Sequence, residues 1–315
     1  MVNIIMPAYN AHETIRKSIH SVCMQDDHEN ILLTIIDDCS EKPYDYLINE
    51  FPCLNIEILK KEKNTGPGQA RQYGIDRCNC EYIMFLDADD YIYSPNAVSK
   101  LFNIMKEEEL DLLISDFAEE MDNGEYLLHE KDGVWMHGKM YKTGYIKDKN
   151  ICFNHTRTNE DSSFNNIVMD SGCKYKCLNY VTYLWKHNPN SLTRSGEYFC
   201  RSMPEFIINA EYTMTEFVRL HVDEKVIYNK FITYMITFYG YYNSIVRKDT
   251  SQSYTDEYVN NIKHFCSVVP CSIIDRFSFS DVEDAIYVHS VINNMLCNKV
   301  LFNITFYDFY NMIKN

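Results

Sequence analysis

Asp87 and Asp89 stand one residue apart and follow the apolar run Tyr82 to Leu86, so two carboxylates leave a buried strand together. Such a pair can face one pocket, where oxygen ligands suit a hard divalent cation and the cation offsets the charge of a diphosphate. Asp90 is read differently, as the start of the turn towards Ser94, because acidic residues commonly begin turns. A second acidic pair, Asp37-Asp38, follows the run Ile31 to Ile36. A carboxylate there can accept a nucleobase imide N–H or a sugar hydroxyl. The stretch Asn64-Thr65-Gly66-Pro67-Gly68-Gln69-Ala70-Arg71 places two glycines and a proline before a helix. Its backbone can approach a ligand closely, with Arg71 facing it. It lacks the Gly-Lys-Ser/Thr ending of a nucleoside-triphosphate loop, which argues against that type of phosphate hydrolysis.

The elements that must position these groups alternate short apolar runs with amphipathic segments, the pattern of an α/β protein with a mostly parallel sheet flanked by helices. Strands are expected at Val2 to Met6, Ile31 to Ile36, Leu54 to Leu59, Tyr82 to Leu86, Asp111 to Ser115 and Tyr180 to Lys186. Helices are expected at about Ala11 to Cys23, from Ser94 as N-cap and Pro95 as first helical residue to Lys106, and from Asn159 as cap to Met169. Asn123-Gly124 and Asp132-Gly133 signal turns in hairpin-like pieces. Polar residues collect after successive strand ends, the edge at which open parallel sheets bind ligands.

Beyond about residue 200 the chain reads as helical and aromatic-rich, with helices near Pro204 to His221, Val226 to Val246, Thr255 to Phe265 and Asp281 to Asn298. This gives a catalytic domain over 1–200 and a helical C-terminal subdomain over 201–315, serving acceptor binding or oligomerisation. Ile227, Phe231, Tyr234, Met235, Phe238 and Tyr242 recur at helical spacing, a buried face rather than a membrane-docking one. A homodimer through that face is an open alternative. No stretch is long and apolar enough for an ordinary membrane span.

Thirty basic against forty-five acidic residues give a net charge of −15, which repels a nucleic-acid backbone unless a local basic groove compensates. Lys139, Lys142, Lys147 and Lys149 are the residues that would form such a groove. Twelve cysteines without a signal-peptide pattern read as free thiols in a cytoplasmic protein. Cys78-x-Cys80 and Cys173-x-x-x-Cys177 lack a second pair at zinc spacing.

Taken in order, Ile4-Ile5-Met6-Pro7-Ala8-Tyr9-Asn10, Ile35-Ile36-Asp37-Asp38-Cys39-Ser40, the Asn64 to Arg71 loop and Tyr82 to Asp90 resemble the family 2 glycosyltransferases. That resemblance implies the GT-A fold, a nucleotide-sugar donor, most simply a UDP-sugar, and Mn²⁺ or Mg²⁺. It covers the first hundred residues well and continues less sharply to about residue 195. Cys39 departs from the pattern, standing where relatives usually carry glycine or another small residue, with a small change in loop geometry expected.

By the same resemblance, Pro7, Ala8, Tyr9 and Asp38 line the nucleobase pocket, with Tyr9 offering a stacking face. Arg71 supports the pocket or a phosphate, Asp87 sits by the ribose or metal, and Asp89 binds the metal. Asn159-Glu160-Asp161 looks like the family's Glu-Asp motif, which makes Asp161 the candidate base for an inverting transfer. The bland alternative is that both acids only favour a helix N-terminus. The segment Tyr183 to Arg194 resembles the loop that folds over the nucleotide, so Lys186 or Arg194 is expected to neutralise the departing diphosphate and His187 to meet metal or phosphate. Trp185 is as well suited to the core as to a sugar platform.

The implied reaction moves a sugar to an acceptor hydroxyl of a glycan or glycoconjugate. The Asn-, Ile-, Lys- and Tyr-rich composition keeps a virus-encoded enzyme acting on a hydroxylated DNA base as an alternative, which would work in a host cytoplasm. A sugar nucleotidyltransferase would carry a Gly-rich, Arg-containing loop where this chain has Pro7-Ala8-Tyr9-Asn10. A non-catalytic carbohydrate-binding module would have no need of both Asp89 and Asp161.

Overall fold

In the computed structural model, which describes residues 1–188, 198–247, 252–276 and 304–314, the chain divides into two compact units, Met1–Tyr198 and Phe199–Asn315. The expected helix Asp281 to Asn298 lies outside the described residues.

Val2–Ala8 form β1, buried at every position but Pro7. A strand buried on both faces is what an unbroken apolar run inside a parallel sheet produces. β1 pairs in parallel with β2 (Ile31–Asp37) and β4 (Tyr82–Phe85), and β2 pairs in parallel with β3 (Asn55–Lys60). The register sets Ala8 beside Asp37 and Asp37 beside Lys60, so the loops after these strands leave from one edge.

Past β4 the sheet is mixed. The further strands are β5 (Tyr91–Ile92), β6 (Leu112–Glu120), β7 (Tyr126–His129), β8 (Lys139–Lys142) and β9 (Tyr175–Trp185). The order is β3-β2-β1-β4-β8-β6-β9-β5, with β7 on β6. The short strands β8 and β5 run antiparallel to their neighbours, while β6 and β9 run parallel with a shifted register around Asp116. Asn123-Gly124 turns the β6–β7 hairpin as expected. Asp132 instead makes a local turn without a hairpin, its Oδ1 accepting from the N–H groups of Val134 and Trp135.

Six helices flank this sheet among the described residues: α1 (Ile15–Cys23), α2 (Tyr46–Glu50), α3 (Pro67–Arg77), α4 (Ala97–Glu107), α5 (Thr143–Asp148) and α6 (Glu160–Asp170). α1 buries Ile15, Ile19 and Val22, and α4 buries Val98, Leu101 and Met105, each one face at helical spacing. α4 starts later than expected. Ser94 and Pro95 form the turn before it, and Ser94 Oγ donates to the carbonyl of Val181 rather than capping the helix.

The second unit is helical: α7 (Tyr198–Arg219), α8 (Glu224–Arg247), α9 (Gln252–Val268), α10 (Cys271–Arg276) and α11 (Phe306–Lys314). Pro204 lies inside α7 rather than at its start. Ile227, Phe231, Tyr234, Met235 and Phe238 of α8 are buried. Phe231 and Phe238 pack on Phe265, and Tyr242 on Phe309, so the face considered for dimerisation is occupied within this unit. Among the described residues no helix is long and apolar enough to cross a membrane.

Candidate active site

The loops after β1 and β2 are tied to each other. Asn10 N donates to Ser40 Oγ and Glu41 N donates to Asn10 Oδ1, both at 3.0 Å. Asp37 accepts the N–H of Ser40 at 2.7 Å. Asp38 is buried, and its carboxylate takes the N–H groups of Thr65 (3.0 Å) and Gly66 (2.8 Å) and the Lys61 ammonium (3.0 Å). It therefore fastens the loop before α3 to the end of β2. Ala8 is buried, Pro7 is half-buried, and Tyr9 presents a ring that is 54% exposed.

Cys39 holds a φ of +70°, in the left-handed region where a Cβ is strained. A glycine there would carry no such strain. Cys39→Gly is expected to stabilise the chain by about 0.5–1 kcal/mol, the strain relieved less the extra freedom of the unfolded glycine. A differential scanning calorimetry melt that does not rise would contradict this.

Gly66 reaches φ +90°, and Pro67 opens α3 as its first helical residue. Gly68 allows a close approach, since a Cβ there would stand 2.5 Å from Glu160 Cγ. That contact brings the first turn of α3 against the first residue of α6. One turn on, the buried Arg71 donates from Nη2 to Asp87 Oδ1 at 2.7 Å and from Nη1 to Glu160 Oε1 at 3.0 Å. One guanidinium thus joins the exit of β4 to the N-terminus of α6.

At that exit the Asp87 side chain is 30% exposed and Asp90 is buried. Tyr183 OH donates to Asp90 Oδ2 at 2.6 Å and accepts from the N–H of Asp87, while the N–H of Lys186 donates to Asp90 Oδ1 at 2.8 Å. Asp89 is half-buried and accepts from Asn188 Nδ2 at 2.8 Å. Burial works against ionising Asp87, but Arg71 outweighs it and holds this carboxyl below its ordinary value. Asp90 goes the other way: burial and the charges of Asp89 and Asp87 push it well up.

The donor set suits a divalent cation. Among the described residues, Asp87, Asp90 and His137 each offer a ligand atom within 4.8 Å of the others. Asp89 and His187 lie outside this group. The N–H of His187 and the Lys186 ammonium both donate to Glu120, at 3.0 and 2.5 Å. Arg194 lies outside the described residues.

Asn159 precedes α6 at φ +60° and makes no side-chain cap, contrary to expectation. Asp161, half-buried, accepts the N–H of Ser162 at 2.7 Å. Burial raises its carboxyl above the ordinary value, with Arg71 pulling down and Asp87 adding to the rise. Asp161, Arg71 and Asp87 therefore share one electrostatic field. Burial, then the charge of Asp161, push Glu160 up to about 8 against the pull of Arg71.

The folded chain then keeps a Glu160 proton that the unfolded chain has lost. Stability is expected to fall as pH rises from the ordinary value of 4.5 towards about 8. Denaturant midpoints measured across this window should flatten in Glu160→Gln. An equal slope in both proteins would remove Glu160 as the cause.

Three residues of this site have contacts that no local sequence pattern announces. Glu160, expected from the Glu-Asp motif or as a helix-end charge, is a partner of Arg71; Asp90, expected to begin a turn, does so, its N–H donating to the Asp87 carbonyl at 3.1 Å. His137 carried no signal, because it reaches the site only through the pairing of β8 with β4. Burial pushes its imidazole down to about 3.

The four lysines form no basic groove. Lys139 is buried and donates to the carbonyls of Trp135 and His137, Lys147 to those of Asp76 and Cys78, and Lys149 to that of Ser171, while Lys142 stands 3.8 Å from Asp111. The feature that would have favoured a DNA acceptor is missing from them.

Residues 3–159 match the family described as Glycosyl transferase family 2. The chain is 32% identical over 120 residues to an uncharacterized glycosyltransferase of Haemophilus influenzae, across 38% of this chain and 47% of that protein. It is 32% identical over 117 residues to the Escherichia coli UDP-Glc:alpha-D-GlcNAc-diphosphoundecaprenol beta-1,3-glucosyltransferase WfgD, across 37% of this chain and 46% of the relative. The chain thus spans less than half the length of these two curated relatives. The crystal structure of S. aureus TarS 1-349 in complex with UDP-GlcNAc superposes with a TM-score of 0.72 at 18% identity, covering 86% of this chain and 82% of that one, a likeness of fold. With the four motifs in order on the parallel strand ends and the fold around them, the chain belongs to glycosyl transferase family 2.

Proposed function

We propose that this chain transfers a sugar from a nucleoside diphosphate, a UDP-sugar, to a hydroxyl of a glycan or glycoconjugate, with inversion at the anomeric carbon and with a divalent cation. The observation that carries this reading is the Arg71 bridge, which sets Asp87 and Glu160 against one guanidinium and so draws the strand-exit acids and the α6 acids to one place. The TarS complex with UDP-GlcNAc supports the choice of nucleotide. The name of WfgD pairs UDP-Glc with a beta product, which supports inversion, since the donor is an alpha-linked sugar phosphate.

In the proposed mechanism Tyr9 stacks on the nucleobase beside Pro7 and Ala8, and Asp38 keeps the pocket wall in place through Thr65 and Gly66. Asp87 and Asp89 hold the cation, with Asp87 also serving the ribose. Such a cation would supply the positive charge that offsets a departing diphosphate. Lys186 and Arg194 are assigned to the same leaving group, and His187 to the metal or a phosphate. Asp161 takes the proton of the acceptor hydroxyl while that oxygen bonds to the anomeric carbon. The bond from that carbon to the diphosphate oxygen breaks, and its electron pair leaves with the nucleotide.

Isothermal titration calorimetry with UDP in the presence and absence of Mn²⁺ tests the donor half of this reading. Cation-dependent binding that is lost in Asp89→Asn is the expected result. Binding that ignores both the cation and this substitution would refute it.

A further inference from the structure

His137 is only 5% exposed, and neither ring nitrogen has a hydrogen-bond partner. A buried imidazole in that state has given up its water without replacement, an arrangement that demands an explanation. The ring is held in place, 4.5 Å from Tyr183, 5.2 Å from Trp185 and 5.0 Å from Phe117 between centroids. One nitrogen lies within 4.8 Å of carboxylate oxygens of Asp87 and Asp90. Those carboxylates are themselves oriented: Asp87 by Arg71, and Asp90 by Tyr183 and the N–H of Lys186. Outer contacts of this kind are what fix ligating groups around a metal. Bonds of about 2.1 Å place ligands on opposite sides of an ion about 4.2 Å apart, so small side-chain shifts close this set on a cation.

We propose that His137 is a nitrogen ligand of the divalent cation at the exit of β4, with Asp87 and Asp90 as its carboxylate partners, and that the site therefore prefers Mn²⁺, Co²⁺ or Zn²⁺ to Mg²⁺. The inference rests on the cation-dependent donor binding proposed above. Imidazole suits these borderline transition metals, whereas Mg²⁺ keeps oxygen ligands and its own water. Asp89, half-buried beside the set, is left to the donor side of the ion.

Pulsed electron paramagnetic resonance on the full chain with Mn²⁺ and UDP tests the assignment, because a directly bound imidazole imposes nitrogen modulation on the manganese signal. The wild-type chain should show that modulation and His137→Phe should lose it. By calorimetry, His137→Phe and Asp90→Asn should each weaken Mn²⁺ by roughly tenfold or more, the scale on which even outer-shell losses act. The preference for Mn²⁺ over Mg²⁺ should collapse in His137→Phe. Bound Mn²⁺ without nitrogen modulation in the wild-type chain overturns the assignment without requiring any variant to fold. So does modulation that persists in His137→Phe. Either result leaves cation-dependent UDP binding standing, whereas UDP that binds equally with and without Mn²⁺ overturns both.

Discussion

Asp161→Asn should bind UDP and Mn²⁺ as the wild-type chain does and yet lose about 10²–10⁴-fold in kcat, the range that a positioned general base contributes. The substitution keeps shape and removes only the ability to accept a proton. Its neighbours Arg71, Asp87 and Lys139 act on the same carboxyl, and burial raises it above the ordinary aspartate value. The acid limb of the wild-type pH profile should accordingly lie above that of a solvated aspartate. A parallel loss of UDP affinity would move Asp161 to the donor side, and undiminished turnover would remove it from the reaction.

Arg71→Met is expected to cost about 3–5 kcal/mol of stability, the scale for removing one partner of a buried ion pair. The Arg71 side chain is 5% exposed and is what holds Asp87 ionised, so loss of the guanidinium leaves that carboxylate without its charge partner and Glu160 without its donor. Arg71→Lys should recover little, because a single ammonium cannot reproduce the two-armed fork that reaches both Asp87 and Glu160. Arg71→Met/Asp87→Asn should regain part of the loss by removing the stranded carboxylate. Denaturant midpoints measure all three, and an Arg71→Met chain within about 1 kcal/mol of wild type would show that the bridge is structurally idle.

The parallel part of the sheet was legible because β1, β2 and β4 are near-continuous apolar runs, and the loops at their ends carry compact motifs. The mixed part was harder to read. Asp116, Glu119 and Glu120 break the apolar pattern of β6, yet the strand continues through them to pair with β7 and β9. Glu120 is accommodated because Lys186 neutralises it from the end of β9. The same long-range pairing explains what could be seen of the site. Asp87, Asp89, Arg71 and Asp161 sit in local motifs, whereas His137 arrives through strand order and Glu160 meets Arg71 through the space left by Gly68. A one-dimensional pattern registers neither. Ser94-Pro95 misled for a related reason, since the serine hydroxyl is drawn away by Val181.

Asn10, Cys39, Gly66 and Asn159, in the loops after β1, β2 and β3 and before α6, carry backbone of positive φ. A turn fixed in this way restricts its loop in the folded chain, and the more of a site is preset the less conformational entropy binding forfeits. These four places stay closed to β-branched replacements, whereas an exposed side chain such as Tyr9 meets no such restriction.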